Sequence, residues 1–257
     1  MSYLKKRLKK TLEYLTGWEI ERFGDRSFSL IDKKSKSDAW FSYVVQMQYI
    51  IEKWQIDLVL DVGANTGQFA TGLRSFYSGE IHSFEPVASV FDKLSVAAAA
   101  DPNWYAHKLA LGHEESTQTI NVSNLTVFSS MLKTNEYCEQ RFGGKALGTK
   151  GEVVSVRRLD QLLPQLVPNV DRRRIFLKLD TQGYDNRVFK GLGGKLGCVF
   201  ALQSEVSLIP VYENMPNWTE SVSTYEKAGF GVVGMFPVTR DSGRIIEYDC
   251  LFVRVDR

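Results

Sequence analysis

Leu58-Val59-Leu60-Asp61-Val62-Gly63-Ala64-Asn65-Thr66-Gly67-Gln68-Phe69 is an apolar run that passes into a turn of small residues and then into an amphipathic segment. That order reads as a buried parallel strand, a tight turn and the start of a helix. Gly63 and Gly67 permit a sharp turn and close approach of a ligand to the backbone, and the helix start offers unpaired N–H groups. A dinucleotide site would need G-x-G-x-x-G at this turn to seat a pyrophosphate. Here Ala64 follows Gly63, and the next glycine is Gly67, so that fingerprint is not met. Asp61 would repel a pyrophosphate, yet it can accept hydrogen bonds from a neutral or cationic ligand. The turn suits an adenosyl amino acid better than a dinucleotide.

The next strand supports this reading. Ile81-His82-Ser83-Phe84 ends on Glu85-Pro86, with Glu85 24 positions after Asp61. A carboxylate at the second strand tip can accept both ribose hydroxyls of an adenosine, and Pro86 stops the strand there. Ala110-Leu111-Gly112, after the third strand, reads either as small groups flanking an adenine or as a plain turn. The expected cofactor residues are Asp61, Gly63, Ala64, Asn65, Thr66, Gly67, Glu85, Pro86, Ala110, Leu111 and Asp180. Two further glycine clusters, Gly143-Gly144-Lys145 and Gly191-Leu192-Gly193-Gly194-Lys195, lack the phosphate-loop spacing and read as turns.

Working outward, short apolar runs alternate with amphipathic stretches from Ile56 onward. Strands are predicted at Leu58–Val62, Glu80–Phe84, Trp104–Lys108, Ile175–Leu179, Val199–Ser204, Gly231–Met235 and Asp249–Val255, with extra strands at Thr117–Val122 and Val153–Arg157. The fold class expected is α/β: a Rossmann-like, mostly parallel seven-stranded sheet with helices on both faces. The expected division is an N-terminal helical extension over 1–55 and a catalytic domain over 56–257, with a substrate segment inserted at about 113–157. Within the extension, residues 1–16 place Leu4, Leu8, Leu12 and Leu15 at helical spacing among lysines and arginine, 25–38 read as a loop, and a helix is expected from about Ala39 to Trp54. The first helix either packs its leucines on the domain or touches an anionic membrane surface loosely. The second offers a candidate oligomer interface.

Beside this reading, the chain resembles the FkbM family of methyltransferases. The resemblance runs from about residue 56 to the C-terminus and rests on Val59 through Phe69, Phe84-Glu85-Pro86, Arg158-Leu159-Asp160, Leu177-Lys178-Leu179-Asp180-Thr181-Gln182-Gly183-Tyr184-Asp185 and Glu205-Val206-Ser207. It implies the class I methyltransferase fold, S-adenosylmethionine as methyl donor, and O-methylation of a hydroxyl on a sugar unit of a glycan or glycolipid, or on a polyketide. The family often carries Asp-Val-Glu-Gly-x-Glu where this chain reads Asp180-Thr181-Gln182-Gly183-Tyr184-Asp185. The neutral Gln182 cannot act as a proton-transfer group.

Methyl transfer to oxygen needs in-line approach of the acceptor and removal of its proton. Asp180 and Glu205 should end neighbouring strands at the ligand side of the sheet. Asp180 is the first candidate base; positioning of substrate or cofactor, or a helix cap, are its other readings. Glu205 is the second candidate, and His113, near the mouth of the site, competes because histidine titrates near neutrality. Ser129, Ser130, Lys178 and Gln182 are candidate substrate contacts, and Tyr212 and Trp218 form a candidate sugar platform or pack beneath the following helix. No H-E-x-x-H or Asp-rich loop requires a metal, so none is expected.

Composition narrows the alternatives. Lys and Arg total 32 against 30 Asp and Glu, a formal charge of +2, so nothing demands nucleic acid as a partner. RNA methylation and non-catalytic S-adenosylmethionine binding stand as the rival functions. The cysteines, at 138, 198 and 250, lack metal or disulfide spacing. With no run of ~18 apolar residues, a cytoplasmic setting is expected, with peripheral contact at the inner membrane surface if the basic helix binds lipid.

Overall fold

The computed structural model describes residues 18–23, 27–124, 126–146 and 150–255. The basic helix expected over 1–16 lies outside them. The described chain begins with an antiparallel hairpin, β1 (Trp18–Phe23) and β2 (Ser27–Asp32), followed by α1 (Lys33–Lys53). The loop expected over 25–38 is corrected from residue 27 onward: Phe28 and Leu30 alternate with serines in a strand, and the lysine-rich stretch after it opens α1 six residues before Ala39. The extension is therefore not wholly helical.

The main sheet is built from β3 (Leu58–Val62), β4 (Glu80–Phe84), β5 (Trp104–His107), β9 (Ile175–Leu179), β10 (Val199–Ser207), β11 (Phe230–Asp241) and β12 (Arg244–Arg254). Their order is β11-β12-β10-β9-β3-β4-β5. The five strands from β10 to β5 run parallel, and β12 is antiparallel to both of its neighbours. This is the Rossmann-like class I methyltransferase sheet the sequence led us to expect. From β3 the chain winds outward through β4 to β5, then returns to the other side of β3 for β9 and β10. The strand order reverses at β3 and β9, and in open sheets the ligand crevice opens beyond the carboxyl ends of the strands at that switch point.

Every residue of β3 and β9 is buried, as expected for strands covered on both faces. One face, carrying Leu58, Leu60, Leu177 and Leu179, packs under α5 (Leu159–Leu166), α6 (Asp185–Lys190) and α7 (Trp218–Lys227). The other, carrying Val59 and Phe176, packs under Met47 and Ile50 of α1, Ala70 and Leu73 of α2 (Gln68–Leu73) and Leu94 of α3 (Ala88–Ala98). Each such side chain contributes roughly 1.5–3 kcal/mol through removal from water.

The inserted segment forms its own small sheet, β6 (Ala110–Gly112), β8 (Lys150–Arg158) and β7 (Ser116–Val122), with α4 (Glu136–Ala146) between β7 and β8. Ile120, Val154 and Val156 pack against Val87 and Val90 at the start of α3. Ala110-Leu111-Gly112 is thus a strand paired with Val156, Arg157 and Arg158. Its partner lies over forty residues further on, so the local sequence carried no sign of it. Cys138, Cys198 and Cys250 are buried. Among the described residues no helix is long and apolar enough to cross a membrane.

Candidate active site

Gly63 leaves β3 with a φ of 77°, a conformation that favours glycine. A Cβ there would fall 1.8 Å from the carbonyl oxygen of Asp180, at the end of β9. Glycine is therefore required by the closeness of two strand ends, before any ligand is considered. The N–H groups of Gly63 and Ala64 both donate to the Phe84 carbonyl at 3.0 Å, which binds the turn to the end of β4. Glu85 completes the joint: its Oε2 accepts from Asn65 N at 3.0 Å and its Oε1 from Val87 N at 2.9 Å. Burial pushes this carboxyl up to about 7, with the Val87 and Asn65 N–H groups pulling the other way and the charge of Asp61 adding to the rise. Each oxygen keeps a lone pair for a hydroxyl.

Beneath the turn, cross-strand neighbours form a polar row on the α1 face of the sheet. Ser83, Asp61, Lys178 and Gln203 stand side by side on β4, β3, β9 and β10. Trp104 Nε1 donates to Ser83 Oγ at 2.9 Å, and Ser83 Oγ donates to Asp61 Oδ2 at 3.1 Å. Lys178 Nζ lies 3.1 Å from Asp61 Oδ1 and 3.2 Å from Asp180 Oδ2. Burial opposes the charge on Lys178, but Asp180 and Asp61 outweigh it and hold the ammonium above its ordinary range. At the far end, Tyr43 of α1 donates to Gln203 Oε1 at 2.8 Å. Asp61 has no exposed surface. It braces the turn from behind.

The turn after β9 presents the candidate catalytic groups. Asp185, the first residue of α6, reaches back to accept from Thr181 N at 2.8 Å and from the Thr181 hydroxyl, and it accepts from Ser204 Oγ at 2.9 Å. This fixes the path of residues 180–184. Asp180 then points into a cavity with its side chain 40% exposed, accepting from Lys178 and, at 3.1 Å, from Gln182 Nε2. Glu205 accepts from the same amide at 2.9 Å. Burial raises the Glu205 carboxyl well above its ordinary range, and Glu247, Asp180, Asp249 and Asp185 add to the effect.

The cavity measures about 1120 Å³. Of the residues singled out by sequence, Gly63, Ala64, Asn65, Glu85, Pro86, Ala110 and Leu111 line one part of it, and Ser129, Lys178, Asp180, Gln182 and Glu205 another. Asp61, Thr66 and Gly67 shape the turn without forming the wall. Three expectations meet a different arrangement. His113 is not on the cavity wall; it follows β6, where its carbonyl accepts from Arg158. Tyr212 is buried, its hydroxyl directed at Gln182 Oε1 and the Phe128 carbonyl, and Trp218 opens α7 half exposed; neither is on the cavity wall. Ser130 is also buried and donates to the Gln182 carbonyl at 2.7 Å.

The sequence reading missed Tyr43, Gln203, Phe236, Glu247 and Asp249, all on the wall. Glu247 and Asp249 are spaced two apart on β12 and oppose Ser207 and Glu205 of β10. That alternation was visible, but it reads equally as a solvent face. Burial, then the charge of Asp180, raises Asp249 to about 6. Among the described residues, no group of three or more His, Cys, Asp or Glu has a metal-holding arrangement.

The chain is similar in structure to magnesium protoporphyrin IX methyltransferase from Synechocystis, solved with bound S-adenosylmethionine, at 11% identity over 83% of this chain and 77% of that one, with a TM-score of 0.45. It is similar also to fibrillarin from Aeropyrum pernix, at 11% identity over 77% and 66% with a TM-score of 0.43. An rRNA methylase from Streptococcus thermophilus matches at 9% identity over 82% and 95% with a TM-score of 0.43. No curated protein sequence matches. The methyltransferase FkbM domain matches residues 61–230, well over half of the chain. The chain belongs to the FkbM family of methyltransferases, enzymes that take their methyl group from S-adenosylmethionine.

Proposed function

We propose that the chain methylates a hydroxyl oxygen on a sugar or glycolipid acceptor, with Asp180 taking the acceptor's proton. The observation that carries this reading is the continuity of one cavity from the Gly63–Asn65 turn and Glu85 to the carboxylates of Asp180 and Glu205. The residues present fit the cofactor. Glu85 offers free lone pairs to ribose hydroxyls, and Ala64, Pro86, Ala110 and Leu111 supply a small-residue, largely apolar slot suited to an adenine. When bound, S-adenosylmethionine supplies a methyl group activated by its sulfonium charge. Asp180 stands at the switch point and faces the open part of the cavity, where it can accept a hydroxyl proton as the oxygen is alkylated. Lys178 and Gln182 hold it from below and from the side.

The rest of the cavity supports a neutral, hydroxyl-rich acceptor. Tyr43 and Phe236, in edge contact at 5.2 Å between ring centres, provide apolar faces. Glu205, Glu247 and Asp249 provide hydrogen-bond acceptors opposite them. These carboxyl groups offer a phosphate backbone no cation, and the lysine among them is already paired with Asp61 and Asp180. This weighs against RNA as the acceptor.

Titration calorimetry with S-adenosylhomocysteine and labelling of saccharide lipids, free sugars, polyketide alcohols and RNA with radiolabelled donor test the reading. A saccharide hydroxyl should be labelled, and Asp180→Asn should abolish labelling while homocysteine-product affinity stays within about threefold. Labelling of RNA alone, or an active Asp180→Asn, would overturn it.

A further inference from the structure

We infer that Gln182 is a positioning residue whose amide holds Asp180 and Glu205 side by side by placing one N–H donor against each. This rests on the reading above, in which those carboxylates face the acceptor. The backbone of Gln182 is in a left-handed conformation, with φ of 52°, and its carbonyl is held by Ser130 Oγ at 2.7 Å. The side chain leaves that position with both of its N–H donors assigned. Oε1 accepts from the Tyr212 hydroxyl at 2.9 Å, while Nε2 donates to Asp180 Oδ1 at 3.1 Å and Glu205 Oε2 at 2.9 Å. The amide orientation follows from Asp180: a carboxylate ion-paired with Lys178 only accepts, so the amide atom that meets it is the nitrogen.

No other side chain of similar length performs this task. A glutamate would set a third carboxylate between two others. A methionine would take the amide donor from Glu205 and leave Asp180 with Lys178 alone, and a lysine could not accept from Tyr212. Because both N–H groups are committed inside the protein, Gln182 acts on the reaction through Asp180 and Glu205. The charged surroundings make the donor matter. Glu205 faces Asp180 from the turn after β9, Asp185 from α6, and Glu247 and Asp249 from β12; the lysine on the cavity wall, Lys178 of β9, is bound to Asp61 and Asp180. A hydrogen bond donated to an ionised carboxylate favours the ionised form, so removing it moves the titration to higher pH.

Carbon NMR titration of side-chain carboxyls in the full-length protein without ligand tests this, using Gln182→Met, Gln182→Glu and Tyr212→Phe. Glu205 should titrate about one pH unit higher than in the wild type in Gln182→Met and higher still in Gln182→Glu. Tyr212→Phe, which frees the amide without deleting it, should give a smaller rise and keeps the test open if position 182 tolerates no change. In turnover, Gln182→Met should lower kcat at least tenfold and shift the acid limb of its pH profile upward, with acceptor KM within about twofold. An unchanged Glu205 titration in all three variants would overturn the inference, as would a raised acceptor KM at constant kcat, which marks direct substrate contact. If Asp180→Asn and Glu205→Gln both retain wild-type kcat, the proposed catalytic reading fails, whereas the NMR result still decides the role of Gln182.

Discussion

Glu85 shows how one residue's surroundings set a measurable property. Its carboxyl titrates at about 7 because it is buried under the turn it supports. Ribose hydroxyls need its charged form as a strong acceptor. Affinity for S-adenosylhomocysteine should therefore fall as pH drops from 8 to 6, and Glu85→Gln should bind more weakly and lose that slope; calorimetry at three pH values measures both. Lys178 makes a second case. It sits between Asp61, which has no exposed surface, and Asp180. Lys178→Met strands a buried negative charge and should cost about 3–5 kcal/mol in guanidinium unfolding, with Asp61→Asn recovering part of the loss. The placement of Asp61 and Glu85 at the carboxyl ends of neighbouring strands was legible because both close apolar runs. Their division of labour was not: side-chain exposure depends on packing across strands, so Asp61 reads as a ligand contact although it lies behind the wall.

Among the elements, the junction of β3 and β9 is the tightest point. The Gly63 position leaves no room for a methyl group beside Asp180, and its φ is positive. Gly63→Ala should force the two strand ends apart, lowering stability by about 2–4 kcal/mol through overpacking and backbone strain and weakening cofactor binding at least tenfold. Thermal unfolding with and without S-adenosylhomocysteine checks both effects. Strands that are apolar at all but one position, such as Leu58–Val62 and Ile175–Leu179, were read to the residue, because burial on both faces leaves a recognisable pattern. Elements whose partners are remote were read poorly. β6 is three residues long and is held by β8, over forty residues further on. The cavity wall from β11 and β12 was missed for the same reason: whether Glu247 and Asp249 face solvent or a site is decided by the hairpin's position over α1 and β10.

For the whole molecule, the raised carboxyls act together. Glu85 titrates at about 7 and Asp249 at about 6, and Glu205 and Glu247 are also raised, each mainly by burial. A folded-state value above the unfolded one means that the folded chain binds the proton more tightly. The associated stability is complete below the unfolded value near 4.5 and is lost as pH rises through the folded value. The ligand-free protein should thus melt at a higher temperature at pH 6 than at pH 8, and Glu85→Gln with Asp249→Asn should flatten the difference; scanning calorimetry across that range decides it.

The buried thiols provide a way to watch the molecule open. Cys138 lies on the inserted segment's helix α4 and Cys250 on β12 inside the main sheet, and burial pushes their thiols up to about 11 and 12. Neither can react with an alkylating reagent at neutral pH until its own region opens. Their modification rates, separated by peptide mass, therefore act as two clocks in one native chain. The α4 clock counts local release of the insertion, and the β12 clock counts loss of the sheet that carries the site.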